Sequence, residues 1–581
     1  MKIMVAGLKK GVGLIILLSL GLLCTGKAAD FDLQKGKNQN GNLADTSKYL
    51  KAVHTFADNV LKSGRDIYGK VHSPLFVDGI HINTGEPVRW ENGQQPWIIS
   101  NFGSQQNLMH VLVGLSEITG DEKYRDAAAE AVRYMYDFQT DSAGLLYWGG
   151  HQFVDLENME NQFKGRPHEL KNNYPFYEFM WEVDSVSTRN MLRAMWNAHI
   201  LDWSVLDLNR HGEYDLQLNK LWKHEFEQPQ PFFEGEGLTF INAGTDMIQA
   251  AMALYALGKD EEAKTWGVRL YHQYVRARHP DTGLGVYQYS QPKRTEIPPK
   301  TGPLEEELTF SRYGDRAKNQ FADKYGDIAL EGNVLWGSRM HTLYGKSPVM
   351  MLHLAEQLKG SEAGEKLLNW TLSGLKAYVK YAYSPEQNHF KPMWTNGVDL
   401  TGQVMPRTGY YGKKGTPFKP VKPTGEMMLA LAKAVNLSEG SPELWEVMRS
   451  MFKAEKLGEL GEDLKTDPEL NYQTQISDPG MLVAVLEIHK ATKNEKYLCL
   501  AEKIGNNILK DKFHEGYFIA SEKHKYVRFD IPDPLALLML EEARSGLDGR
   551  VPPYLTGYGS TDGEPGKDGR PSDEEIYDKT F

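Results

Sequence analysis

Four stretches of this sequence repeat one device: an apolar helix, a short polar break, and a second helix that often opens on an acidic residue. They run from Asn107 to Phe138, Thr245 to Val275, Val349 to Val379 and Gly480 to Leu509. The breaks fall at Thr119-Gly120-Asp121, Gly258-Lys259-Asp260, Gly360 and near Thr492-Lys493-Asn494. Apolar residues recur at i, i+3 and i+4, the spacing of one helix face. Gly, Asp and Ser at the breaks supply a helix stop and the N-cap of the next helix. A helical hairpin cannot bury its apolar face alone, so such units stack into a solenoid or close into a ring. The intervals between them are long, variable and rich in Gly, Pro and aromatics, as in Leu145 to Phe153 and Arg407 to Pro420. An open helical array needs a strict short period, which this chain lacks. The pattern predicts an all-α fold: an α/α toroid whose long loops form a cleft on one rim.

Lys2, Lys9 and Lys10 precede an apolar run from Val12 to Leu23, and small residues Gly26 and Ala28 follow. This reads as a secretory signal peptide over 1–28, which places the mature protein in the periplasm or outside the cell. The run is too short to span a bilayer, and no later segment is long and apolar enough, so no stable membrane insertion is expected. A lipoprotein reading would use Cys24, but bulky Leu23 stands where such signals want a small residue. Removing 1–28 leaves Cys499 as the one cysteine, so stability must come from the core. The catalytic toroid is expected over 29–550. The Pro-, Gly- and acid-rich segment 551–581 reads as an extended or disordered tail. A net charge of −11 argues against a nucleic-acid binder. A polyanionic ligand would have to meet a local basic patch.

Three histidine-bearing segments lie close together: Gly149-Gly150-His151, Arg166-Pro167-His168-Glu169-Leu170-Lys171 and Asn209-Arg210-His211-Gly212. Each has Gly or Pro beside the histidine, as loops and helix ends do. Imidazoles with one carboxylate make a site for a divalent transition metal, although a lone histidine in a Gly-rich loop is more often only a hydrogen-bonding residue.

With these motifs in order, the chain resembles the periplasmic pectate lyases of polysaccharide lyase family 2. The likeness is densest from Gln105 to Asp215 and returns around Leu330 to Met340. It implies an α/α barrel that cleaves polygalacturonate or its oligomers, with a divalent metal as cofactor. Manganese is favoured, with calcium or another transition metal as the alternative. It implies metal ligands His151, Glu169 and His211, with His168 competing with Glu169 in its pair, and Arg210 as the catalytic base. Arginine is ordinarily always protonated, so this role needs neighbouring positive charge to favour its neutral form. Arg312, Lys171 and Arg166 are the substrate-binding candidates, with Arg316, Lys318, Lys324 and Arg339 behind them. Trp148, Tyr174 and Trp394 could stack on sugar rings, but core is their commoner role. Two competing readings remain: a uronide-specific glycoside hydrolase on the same toroid, which needs paired carboxylic acids and no metal, and a non-catalytic sugar-binding protein of the cell envelope.

Overall fold

A computed structural model describes residues 47–91, 96–149, 152–162, 167–170, 172, 174–293, 314–519, 522, 524–547 and 549–554. The expected signal peptide with Cys24 lies outside them, as does the chain from 555 onward. Among the described residues seven helices form an inner ring: α2 (Gln106–Thr119), α4 (Tyr177–Val183), α6 (Ile241–Gly258), α10 (Ser347–Gln357), α12 (Gly425–Leu437), α14 (Pro479–Thr492) and α16 (Asp533–Ser545). Around them stand α1 (Lys48–Ser63), α3 (Lys123–Phe138), α5 (Ser185–His199), α7 (Glu261–Arg276), α11 (Glu362–Ala382), α13 (Pro442–Ala454) and α15 (Glu495–Lys512). The ring closes where α16 packs on α2, and the first helix, α1, becomes the outer partner of the last, α16. This is the expected toroid.

The sequence explains the division. In α6 and α14 nearly every position before the last turn is buried, so these stretches are apolar all round and belong inside. In α7 and α15 one face is apolar and the other charged, as an outer layer requires. The expected breaks fall where the turns are. Gly120, Lys259 and Lys493 adopt the left-handed conformation that ends a helix. Asp260, Ser361 and Asn494 then cap the next one, Asp260 accepting from the Ala263 N–H at 3.0 Å. The hairpins α4–α5 and α12–α13 join the four read from sequence, α4 being too short to show a period.

Each hairpin runs inner helix first, so every long connection returns to the N-terminal end of an inner helix. All the long loops therefore gather on one rim. They carry α8 (Arg316–Tyr325), α9 (Ser338–His341) and short strands, the longest being Pro96–Ser100. Val551 and Tyr554 are buried, with Pro552 against Gly114 of α2, so the folded body runs past the expected boundary at 550.

Candidate active site

Backbone pairing on the loop rim joins the three histidine motifs. The strand His168–Glu169 pairs antiparallel with His211–Gly212, Glu169 opposite His211. On its other side Gly149 pairs with Glu169. Gly149 has φ +100° and lies so close to the strand that a Cβ would sit 2.7 Å from the Glu169 carbonyl oxygen. No side chain fits there, which accounts for the first glycine of the Gly-Gly-His motif. Asn101 Nδ2 donates to the Gly149 carbonyl at 2.8 Å, and the Leu170 N–H donates to the Arg210 carbonyl at 3.0 Å.

Three polar side chains converge there. The Glu169 side chain is wholly buried, while His211 and Arg210 remain 28% and 33% exposed. His211 Nε2 stands 3.4 Å and Arg210 Nε 3.6 Å from Glu169 Oε1. Arg210 is therefore near the carboxylate without the bidentate hydrogen bonding of a locked pair. A carboxylate and an imidazole at this spacing suit a divalent cation by donor type. His151, the third expected ligand, lies outside the described residues, and among those described no group of three possible metal ligands gathers. Arg166, Lys171 and Arg312 also lie outside them.

His168 has another task. It is buried, and Trp148 Nε1, which can only donate, donates to its Nε2 at 2.6 Å. Burial lowers the pKa of His168 far below the ordinary imidazole value, with His199 adding to the effect, so the ring is neutral and its proton sits on Nδ1. That proton is donated to His199 Nε2 at 2.7 Å, and His199 Nδ1–H donates to the Asn209 carbonyl at 2.7 Å. Burial brings the pKa of His199 down to about 4. One indole thus sets both tautomers in a relay ending on the residue before Arg210. Both ring nitrogens of His168 are engaged, which leaves Glu169 as the group facing His211 and Arg210. Gly212 is glycine because a Cβ would meet His199 Nε2 at 2.7 Å. The sequence held no signal for His199, since the relay joins segments only the fold brings together.

A second charged cluster shares the rim. Glu331, buried, accepts from Arg316 Nε at 3.0 Å and from Arg316 Nη2 and Arg339 Nη2, while Arg339 Nη1 donates to the Glu331 carbonyl at 2.9 Å. The two clusters meet at one ring: the Phe240 centroid lies 6.0 Å from the Arg210 guanidinium and 5.7 Å from that of Arg316. Lys318 and Lys324 are exposed on α8. Trp148, Tyr174 and Trp394 are all buried, so their role is core.

A family model described as periplasmic pectate lyase matches residues 73–564. A pectate disaccharide-lyase of Dickeya dadantii (strain 3937) is 36% identical over 549 residues, covering 92% of this chain and 96% of the relative. The protein is thus a polysaccharide lyase built on an α/α toroid. It belongs to the periplasmic pectate lyase family. Among solved structures, a D-mannose isomerase aligns with TM-score 0.40 at 10% identity, covering 87% of this chain and all of that one. A family 76 glycoside hydrolase from a bovine Bacteroides thetaiotaomicron strain aligns with TM-score 0.38 at 10% identity, covering 86% and 78%.

Proposed function

We propose that this pectate lyase acts in the periplasm on α-1,4-linked polygalacturonate or its oligomers, exported there by the segment 1–28. It cuts by β-elimination to 4,5-unsaturated products. His151, Glu169 and His211 hold a divalent ion, manganese in preference to calcium, and Arg210 is the base. The observation that carries this reading is the backbone register, which places Glu169 between His211 and Gly149, two residues before His151.

Elimination removes the C5 proton of a uronate and breaks its C4–O4 bond. The C–H electron pair becomes the C4=C5 double bond, and O4 leaves with the bond's electrons and takes up a proton. Bound at the three ligands, a divalent ion would neutralise the C6 carboxylate and so lower the cost of negative charge developing at C5. Arg210 adjoins His211 in sequence, is two-thirds shielded from water, and takes the proton in its neutral form. Glu169 keeps its charge out of solvent, where it acts on His211 and Arg210 with little screening. The His168–His199 relay fixes the backbone from which Arg210 and His211 project.

The test is an ultraviolet assay on polygalacturonate with the purified enzyme. Absorbance from the conjugated product is expected, together with its loss on chelation and its recovery with manganese above calcium. New reducing ends without absorbance would replace this reading with the hydrolase. Full activity after exhaustive chelation would remove the metal.

A further inference from the structure

The loop 405–417 ends in a tight hairpin, Gly409 N–H donating to the Gly412 carbonyl at 3.0 Å and Gly412 N–H returning to Gly409 at 3.2 Å. It is fastened from behind by buried Gln320. That side chain accepts from the Tyr411 N–H at 2.9 Å and donates to the Arg407 and Gly412 carbonyls at 2.9 and 3.1 Å. Gly409 must be glycine, since a Cβ would sit 2.4 Å from the Gln320 amide. Of the two tyrosines at the tip, Tyr411 turns inward onto Phe321 and Arg339. Tyr410 turns outward and stays 51% exposed.

A single exposed aromatic is ordinary on a protein surface. What sets Tyr410 apart is its neighbour. The Arg316 guanidinium lies over its ring, 3.8 Å from the centroid. Nε and Nη2 of Arg316 are engaged by Glu331, whereas among the described residues Nη1 donates to nothing. Arg339 alone already gives Glu331 a cationic partner, so Arg316 is a second positive charge on one carboxylate. The Arg316 side chain is 18% exposed, and its guanidinium shares the Phe240 ring with that of Arg210.

We propose that Arg316 and Tyr410 form a subsite for a further uronate unit of the polymer, outside the units that the shortest cleavable oligomer fills. Arg316 Nη1 takes that unit's carboxylate in a charge-assisted hydrogen bond, and the open face of Tyr410 takes its sugar ring. Because Arg316 is already held on two sides, little side-chain freedom is lost when the carboxylate arrives. A methyl ester would offer only a neutral acceptor, so this subsite prefers the free acid.

This inference rests on the lyase reading, and the experiment separates the two. Initial rates are measured by absorbance on polygalacturonate and on the shortest galacturonate oligomer that the enzyme cuts. Tyr410→Ala, at an exposed position, and Arg316→Gln are compared with the unaltered enzyme. In both variants the ratio of kcat/KM on the long chain to that on the short oligomer falls at least tenfold, chiefly through KM. Arg316→Gln also narrows the preference for unesterified over methyl-esterified oligomers. If the Tyr410→Ala ratio is unchanged, or only its thermal midpoint falls, the hairpin merely covers the Glu331 cluster and the subsite is refuted. If the unaltered enzyme forms no unsaturated product, the lyase reading fails first.

Discussion

Two buried carboxylates on the same rim face arginine in different ways. Glu331 is clamped by Arg316 and Arg339 through several hydrogen bonds, and both guanidiniums are held in place by it. Glu169 meets Arg210 at 3.6 Å and His211 at 3.4 Å, distances of proximity rather than of a clamp. A clamp fixes protons on the arginine and geometry in the cleft. A loose pair leaves the guanidinium able to change partner or protonation state during a reaction. In the proposed mechanism the first carboxylate holds cations for binding and the second sits beside the residues that carry the chemistry.

Breaking the loose cluster should have the largest effect. Arg210→Ala is expected to lower kcat by about 100- to 10,000-fold, the range for removing a positioned acid or base. Metal content and KM should change little, and Arg210→Lys should retain weak activity that rises with pH. If Arg210→Ala raises KM and keeps kcat, Arg210 is a substrate clamp like Arg316, and the contrast between the clusters disappears.

Breaking the tight cluster should appear as lost stability. Glu331→Gln leaves the buried Arg339 and the partly exposed Arg316 without their counter-charge, and removing one partner of a buried ion pair costs about 3–5 kcal/mol. Denaturant unfolding would measure this, with a moderate rise in KM from a displaced Arg316. A fall in kcat matching that of Arg210→Ala, with stability kept, would put Glu331 in the catalytic machinery instead.

The same contrast decides what could be read in advance. The toroid was legible because hairpins are local: Gly120, Asp260 and Asn494 mark their turns within a few residues of the apolar face they end. The pairing of α1 with α16 was not, since it joins the two ends of the chain. Glu169, Arg210 and His211 were singled out by ordered motifs shared with a known family, and the fold brings the three together. Arg316 stood among several equivalent cations, and nothing in one dimension marked it over Lys318 or Lys324. Its standing comes from Glu331 and Tyr410, remote in sequence and adjacent in space. His168 competed with Glu169 for the same reason, because its partners Trp148 and His199 come from other segments.

The strand that carries Glu169 also carries His168, whose relay ties it to Trp148 and His199. Trp148→Phe removes the one N–H that sets the tautomers of His168 and His199, while keeping an aromatic ring beside Phe102. The buried His168 Nε2 then lacks a donor, a loss worth about 1–3 kcal/mol in unfolding. The His168 proton is then no longer directed to Nδ1, and the donor to His199 is lost in part of the population. Nitrogen chemical shifts of the two rings should report that mixture directly. Turnover should fall by less than tenfold, because Arg210 and His211 remain paired to the Glu169 strand through the backbone. A drop as deep as that of Arg210→Ala, in a protein of unchanged stability, would mean that the relay takes part in the proton transfer itself. Unchanged stability with unchanged shifts would show that the indole N–H does not set the tautomers at all.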